Sequence, residues 1–184
     1  MRFCLLLLCF ILSKSIYAQS YASNLADVDL QQLNVAVINQ HGQPLNFYED
    51  LIKAKRVAIN FVFTQCLTSC PLSVAIFRQV QVKLAKQAIS LISISVDPSH
   101  DTPESLLKLS QKFHAQAPWD FITGDPVVIT QLLKTLGSYT ADKNAHSNMV
   151  LISQADGRQW TKLYGFPQPK AIITALTATP DQKF

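Results

Sequence analysis

Two apolar runs constrain this chain more than any other feature. Residues 56–63 read RVAINFVF and residues 89–96 read ISLISISV. Both are rich in β-branched residues and have the length of strands buried inside a sheet. Between them the period changes. Leu72, Ile76, Val80 and Leu84 recur every four residues, joined by Ala75 and Phe77 on the neighbouring rows. That spacing predicts a helix from Pro71 to about Gln87 with one apolar side. Pro71 suits its first turn, where a missing N–H costs nothing.

The flanking segments extend the alternation. LNVAVINQHGQPLNFYED alternates apolar and polar residues on both sides of His41-Gly42 and predicts a β-hairpin. DPSHDTPESLLKLSQKFH predicts a helix capped by Asp101 or Thr102, with Pro103 at its first position and Glu104 at its positive end. WDFITG reads as a short strand or loop, and DPVVITQLLKTLG as a short helix closed by Gly137. NMVLISQADGRQWTKLYGF reads as a hairpin turning at Asp156-Gly157, and PKAIITALTAT as a last helix. Strands alternating with helices imply an α/β chain, a mixed central β-sheet with helices on both faces. The order is that of a thioredoxin-like fold preceded by an N-terminal β-hairpin. Hydrophobic residues make up 48% and charged residues 15% of 184, enough for one domain with one core. The formal charge of +4 is not gathered into a basic stretch, which excludes a nucleic-acid footprint.

The first residues, MRFCLLLLCFILSKSIYA, have the layout of a secretory signal peptide. Arg2 precedes an apolar run from Phe3 to Leu12, and Lys14 ends it. Ten apolar residues fall short of the roughly 20 that span a bilayer. Residues 1–18 are therefore expected to be a signal, cleaved after Ala18 or Ala22, with a membrane anchor facing the periplasm as the alternative. Residues 19–33 read as a loose polar arm and 34–184 as the folded domain. Export to the periplasm or cell exterior follows. Cys4 and Cys9 leave with the signal, and the mature chain keeps Cys66 and Cys70.

These two cysteines stand in NFVFTQCLTSCP, at the carboxyl end of the first buried strand, where sites gather in open α/β sheets. A helix starting near Pro71 aims its free N–H groups at them, so both thiols are expected to ionise more easily than usual. Three residues separate them, one more than in a thioredoxin couple. The pair could be a structural disulfide, a redox couple or two soft metal ligands. A metal needs at least one more ligand, and His146, in the polar loop DKNAHSNMVLI, is the best placed. His41, His100 and His114 read as turn, loop and helix-end residues. Met149 could add a weak thioether ligand but has a strand position, and Asp97 could orient His146. Thr64, two residues before Cys66, lacks the three-residue spacing of peroxide-reducing thiols.

Taken together, TQCLTSCP, SVDPSHDTPESL, DFITGDPVVITQLLKTLG and HSNMVLI resemble, in order and spacing, the Sco/SenC family. The resemblance covers roughly residues 35–178. It implies a copper-binding, thioredoxin-fold protein linked to assembly of the copper centre of cytochrome c oxidase. It implies a metal site of Cys66, Cys70 and His146 holding Cu(I) and also Cu(II). The acceptor it implies is an oxidase subunit or another thiol-bearing protein, and the chain is expected to act as a monomer. Leu67 stands where the family has proline, and Ala145 where an acidic residue is usual. A copper chaperone is the leading reading. A thiol-disulfide oxidoreductase, with Cys66 attacking and Cys70 resolving, is the alternative.

Overall fold

The computed structural model describes residues 22–25, 30–66, 69–84, 89–153 and 160–178. The expected signal peptide, Leu67 and the Asp156-Gly157 turn lie outside them. The strands are β1 (Ala22–Leu25), β2 (Ala36–Asn39), β3 (Pro44–Asn46), β4 (Arg56–Val62), β5 (Ile89–Ser95), β6 (Trp119–Thr123), β7 (Met149–Ser153) and β8 (Trp160–Tyr164). The helices are α1 (Ser69–Leu84), α2 (Pro103–Lys112), α3 (Pro126–Thr135) and α4 (Pro169–Thr177). The strands form one mixed sheet in the order β1-β8-β7-β4-β5-β6-β2-β3. β4 runs parallel to β5, and β5 to β6, while the remaining pairs are antiparallel.

The two apolar runs of the sequence are β4 and β5, central neighbours in register from Arg56 opposite Ile89 to Val62 opposite Ser95. The period-two geometry of β4 divides its side chains between two cores. Val57, Ile59 and Phe61 join Ile92, Ile94 and the α3 residues Ile129, Leu132 and Leu133 on one face. Ala58 and Val62 join Val74, Phe77 and Val80 of α1 and Ile172 and Leu176 of α4 on the other. Asn60 lies between Ala58 and Val62 on this second face, fully buried. Its amide donates to Ser73 Oγ, its carbonyl accepts from Ser93 Oγ, and the Trp119 indole donates to the same Ser93 oxygen. That chain of bonds fastens the first turns of α1 to three strands without leaving a buried polar group unpaired.

Several local expectations change. Residues 22–25, expected as part of a loose arm, pair with β8 as β1. The predicted hairpin holds only to Asn46. Beyond it, Phe47–Ile52 form a π-helical turn capped by the Asn46 side chain, because Phe47, Leu51 and Ile52 all reach the core that way. α1 begins at Ser69, two residues before Pro71, and its inner rows start at Cys70 and Val74. Leu72 is 49% exposed. WDFIT is a strand, β6. Thr102, not Asp101, caps α2, in a reciprocal box with Ser105. α3 ends at Thr135 with Leu136 as its cap, and Gly137, the expected stop, follows with φ at +65°.

Candidate metal and thiol site

The site lies where β4 runs out. Phe63 is still buried, and a turn through Thr64 and Gln65 brings the amide of Cys66 to the carbonyl of Phe63 at 3.1 Å. α1 starts three residues later, and its second residue is Cys70. The backbone N–H of Cys70 donates to the sulfur of Cys66 at 3.3 Å, and Ser69 Oγ lies 3.6 Å from the same sulfur. Cys66 Sγ thus takes one of the donors that every helix start leaves free. Cys66 is half-buried and Cys70 fully buried.

The expectation that both thiols ionise easily fails for Cys70. Burial, followed by a hydrogen bond with the Cys66 side chain, pushes its pKa up to about 12 against the opposing pull of a backbone bond with Phe63. The cause is positional. The helix-start N–H is spent on the Cys66 sulfur, whereas the Cys70 sulfur is packed inside the first turn and away from water.

His146 follows a single 3-10 turn, Lys143–Ala145, capped by the Asp142 carboxylate. His146 is only 7% exposed. Its Nδ1 lies 2.7 Å from the backbone oxygen of Lys143. A carbonyl can only accept, so Nδ1 carries a proton, and in the neutral form of the ring the lone pair is on Nε2. The ring meets Phe63 edge-on, with centroids 5.8 Å apart and planes at 78°. The structure therefore brings Cys66 and Cys70 into contact and sets His146 against the residue that opens the cysteine turn. Among the described residues, no three His, Cys, Asp or Glu side chains converge closely enough to hold a metal ion.

The other candidates fall elsewhere. His41 is exposed in the β2–β3 turn, and His114 is exposed beyond α2. Met149 is a buried β7 residue in the core. Asp97 does not touch His146. It accepts from His100 Nδ1 at 2.8 Å and pairs with the ammonium of Lys143. Burial raises the pKa of Asp97, but the bonds from Lys143 and His100 outweigh it and hold the carboxyl below its ordinary value.

Asp101 is the residue that sequence reasoning misplaced. It is 3% exposed. One carboxylate oxygen accepts from both the amide and the hydroxyl of Thr64, at 3.1 and 2.6 Å. The other accepts from Ser95 Oγ at 2.6 Å, and the Asp101 carbonyl accepts from Thr123 Oγ1 at 3.1 Å. Asp101 thus ties the turn before Cys66 to the ends of β5 and β6. The signal was in SVDPSHDTPESL. With Thr102 able to cap α2, a second aspartate there is free to point inward.

A profile of the SCO1/SenC family matches residues 32–179. The SCO1 protein homolog of Bacillus subtilis is 35% identical over 89 residues, which are 47% of this chain and 45% of that relative, so the matched stretch spans under half of its length. Among solved structures, BsSco, described as having a disulfide switch and as a member of the Sco family of cytochrome c oxidase assembly proteins, is 25% identical. It superposes with a TM-score of 0.68 over 84% of this chain and 95% of that one. ScoI of Bradyrhizobium japonicum, solved with copper bound, is 22% identical, with a TM-score of 0.61 over 77% of this chain and 94% of that one; it attests the fold.

Proposed function

The chain belongs to the SCO1/SenC family, and on that premise we propose that it is an exported copper-binding protein whose ligands are Cys66, Cys70 and His146. The observation that carries the reading is the bond from His146 Nδ1 to the Lys143 carbonyl, which leaves Nε2 of the neutral ring available as a ligand, with the ring set against Phe63 at the start of the cysteine turn. Two thiolates and one imidazole make a soft donor set suited to Cu(I), which can also hold Cu(II) with a weaker extra ligand. Copper is here a cargo. Ligand exchange would pass it to an acceptor protein, a cytochrome c oxidase subunit being the acceptor class that the description of BsSco favours. The layout of residues 1–18 supports export to the periplasm, and the chain would act as a monomer.

Titrating copper into the reduced protein tests the reading. One ion is expected to bind, with affinity falling sharply in Cys66→Ser, Cys70→Ser and His146→Ala. Stoichiometric binding indifferent to all three substitutions overturns it.

Two neighbouring cysteines of unequal exposure, joined by the Cys70 N–H bond to the Cys66 sulfur, support a second reading, thiol-disulfide exchange. The half-buried Cys66, as thiolate, would attack a partner disulfide and form a mixed disulfide. Cys70 would then lose its proton, close the Cys66–Cys70 bond and release the partner as a dithiol. The protein is oxidised by two electrons and the partner reduced by two. A Cys66–Cys70 potential below about −300 mV would mark an inert disulfide and remove this reading.

A further inference from the structure

We propose that Lys143 is a positioning residue that fixes both the tautomer and the orientation of His146. The proposal rests on the reading of His146 as a ligand and adds how that ligand is preset. Lys143 engages the histidine through two ends. Its backbone oxygen accepts the Nδ1–H of His146 at 2.7 Å. Its ammonium lies 5.5 Å from the centroid of Phe63, the ring against which the imidazole packs.

The ammonium is itself anchored. It pairs with Asp97, whose side chain is 9% exposed. Asp97 is held in turn by His100 Nδ1, and its amide donates to Ser95 Oγ at 3.1 Å, at the end of β5. Through Lys143, the turn that carries His146 is thus tied to a central strand of the sheet. The tie matters at the histidine end of the turn. Ala145 N bonds to Asp142 O at 3.0 Å, but the backbone bond that reaches His146, from its N to Lys143 O, is long at 3.4 Å.

A free neutral histidine in water favours the proton on Nε2, the nitrogen that must be bare to take a metal here. The bond to the other nitrogen sets which tautomer is present. A Lys143 oxygen held in place reverses the preference before any ligand arrives. Partners that orient a ligating histidine this way contribute about 10- to 100-fold in metal affinity.

The experiment uses the full reduced, metal-free chain labelled with 15N, at a pH where imidazole is neutral. Long-range 15N–1H spectra report which ring nitrogen of His146 carries the proton. The wild type is expected to show Nδ1–H alone. Lys143→Met, which keeps the aliphatic stem and loses the charge, is expected to show averaged shifts from both tautomers. It should also lose about tenfold in copper affinity. Lys143→Arg restores the charge and both signatures, which a general loss of stability would not. An unchanged Nδ1–H signature in a folded Lys143→Met overturns the proposal, and Asp97→Asn, which cuts the same tie from its other end, gives the same decision independently. If the tautomer shifts while copper binding ignores His146→Ala, the positioning role stands and the copper ligand set is what fails.

Discussion

Asp101 and Thr64, 37 positions apart in sequence, share one carboxylate oxygen, which receives both the amide and the hydroxyl of the threonine. Gln65 and Cys66 follow directly from that joint. Asp101→Ala would orphan Thr64 and Ser95 together in a buried setting, and a loss of about 3 kcal/mol is expected in urea unfolding. Asp101→Asn keeps an acceptor for Thr64 and offers a donor to Ser95, so its loss should be smaller. In the alanine variant the freed turn should also let Cys66 react faster with iodoacetamide.

Asp97 predicts an acid-side dependence. Its folded carboxyl titrates below the unfolded value of 3.8, because Lys143 and His100 outweigh burial. The folded state therefore binds fewer protons there, and the stabilisation is present above pH 3.8 and fades as pH falls through the folded value. The stability difference between the wild type and Asp97→Asn should shrink steadily below about pH 4. A difference that stays constant down to unfolding would contradict it.

Cys70 predicts the opposite limb. With its folded value near 12 and an ordinary value of 9.0, the folded reduced protein holds a proton that the unfolded chain releases. Stability should be full below pH 9.0 and decline as pH rises toward 12. Cys70→Ser should flatten that decline. At neutral pH, alkylation of the metal-free protein should label Cys66 first and Cys70 only on unfolding.

Gly137 predicts a steric cost. Its φ of +65° disfavours any side chain, and an added Cβ would sit 2.5 Å from the ammonium nitrogen of Lys162. Gly137→Ala should lose about 1 to 2 kcal/mol, measured by thermal or urea unfolding. An unchanged midpoint would show that the end of α3 can reshape freely.

The central strands and α1 were legible because burial on both faces leaves continuous apolar runs and a clear helical period. The thiol pair and His146 were legible as residue types and spacing. What escaped the sequence depends on contacts between distant segments. Nothing local says that the Cys70 sulfur is turned inward while its amide serves Cys66. Asp101 looks like a helix cap until Thr102 takes that place. Phe47, Leu51 and Ile52 fit a strand's alternation poorly, yet the π-turn that buries all three has no strong signature of its own. Lys143 reads as one more surface charge, because only the fold brings it to Asp97 and Phe63.

β3, one end of the eight-strand order, also bears on how copies of this protein meet. It is three residues long, starts with Pro44 and gives way at once to the π-turn. A strand so short, with one amide missing, is a poor template for edge-to-edge growth. Self-association along that border is disfavoured by the backbone itself.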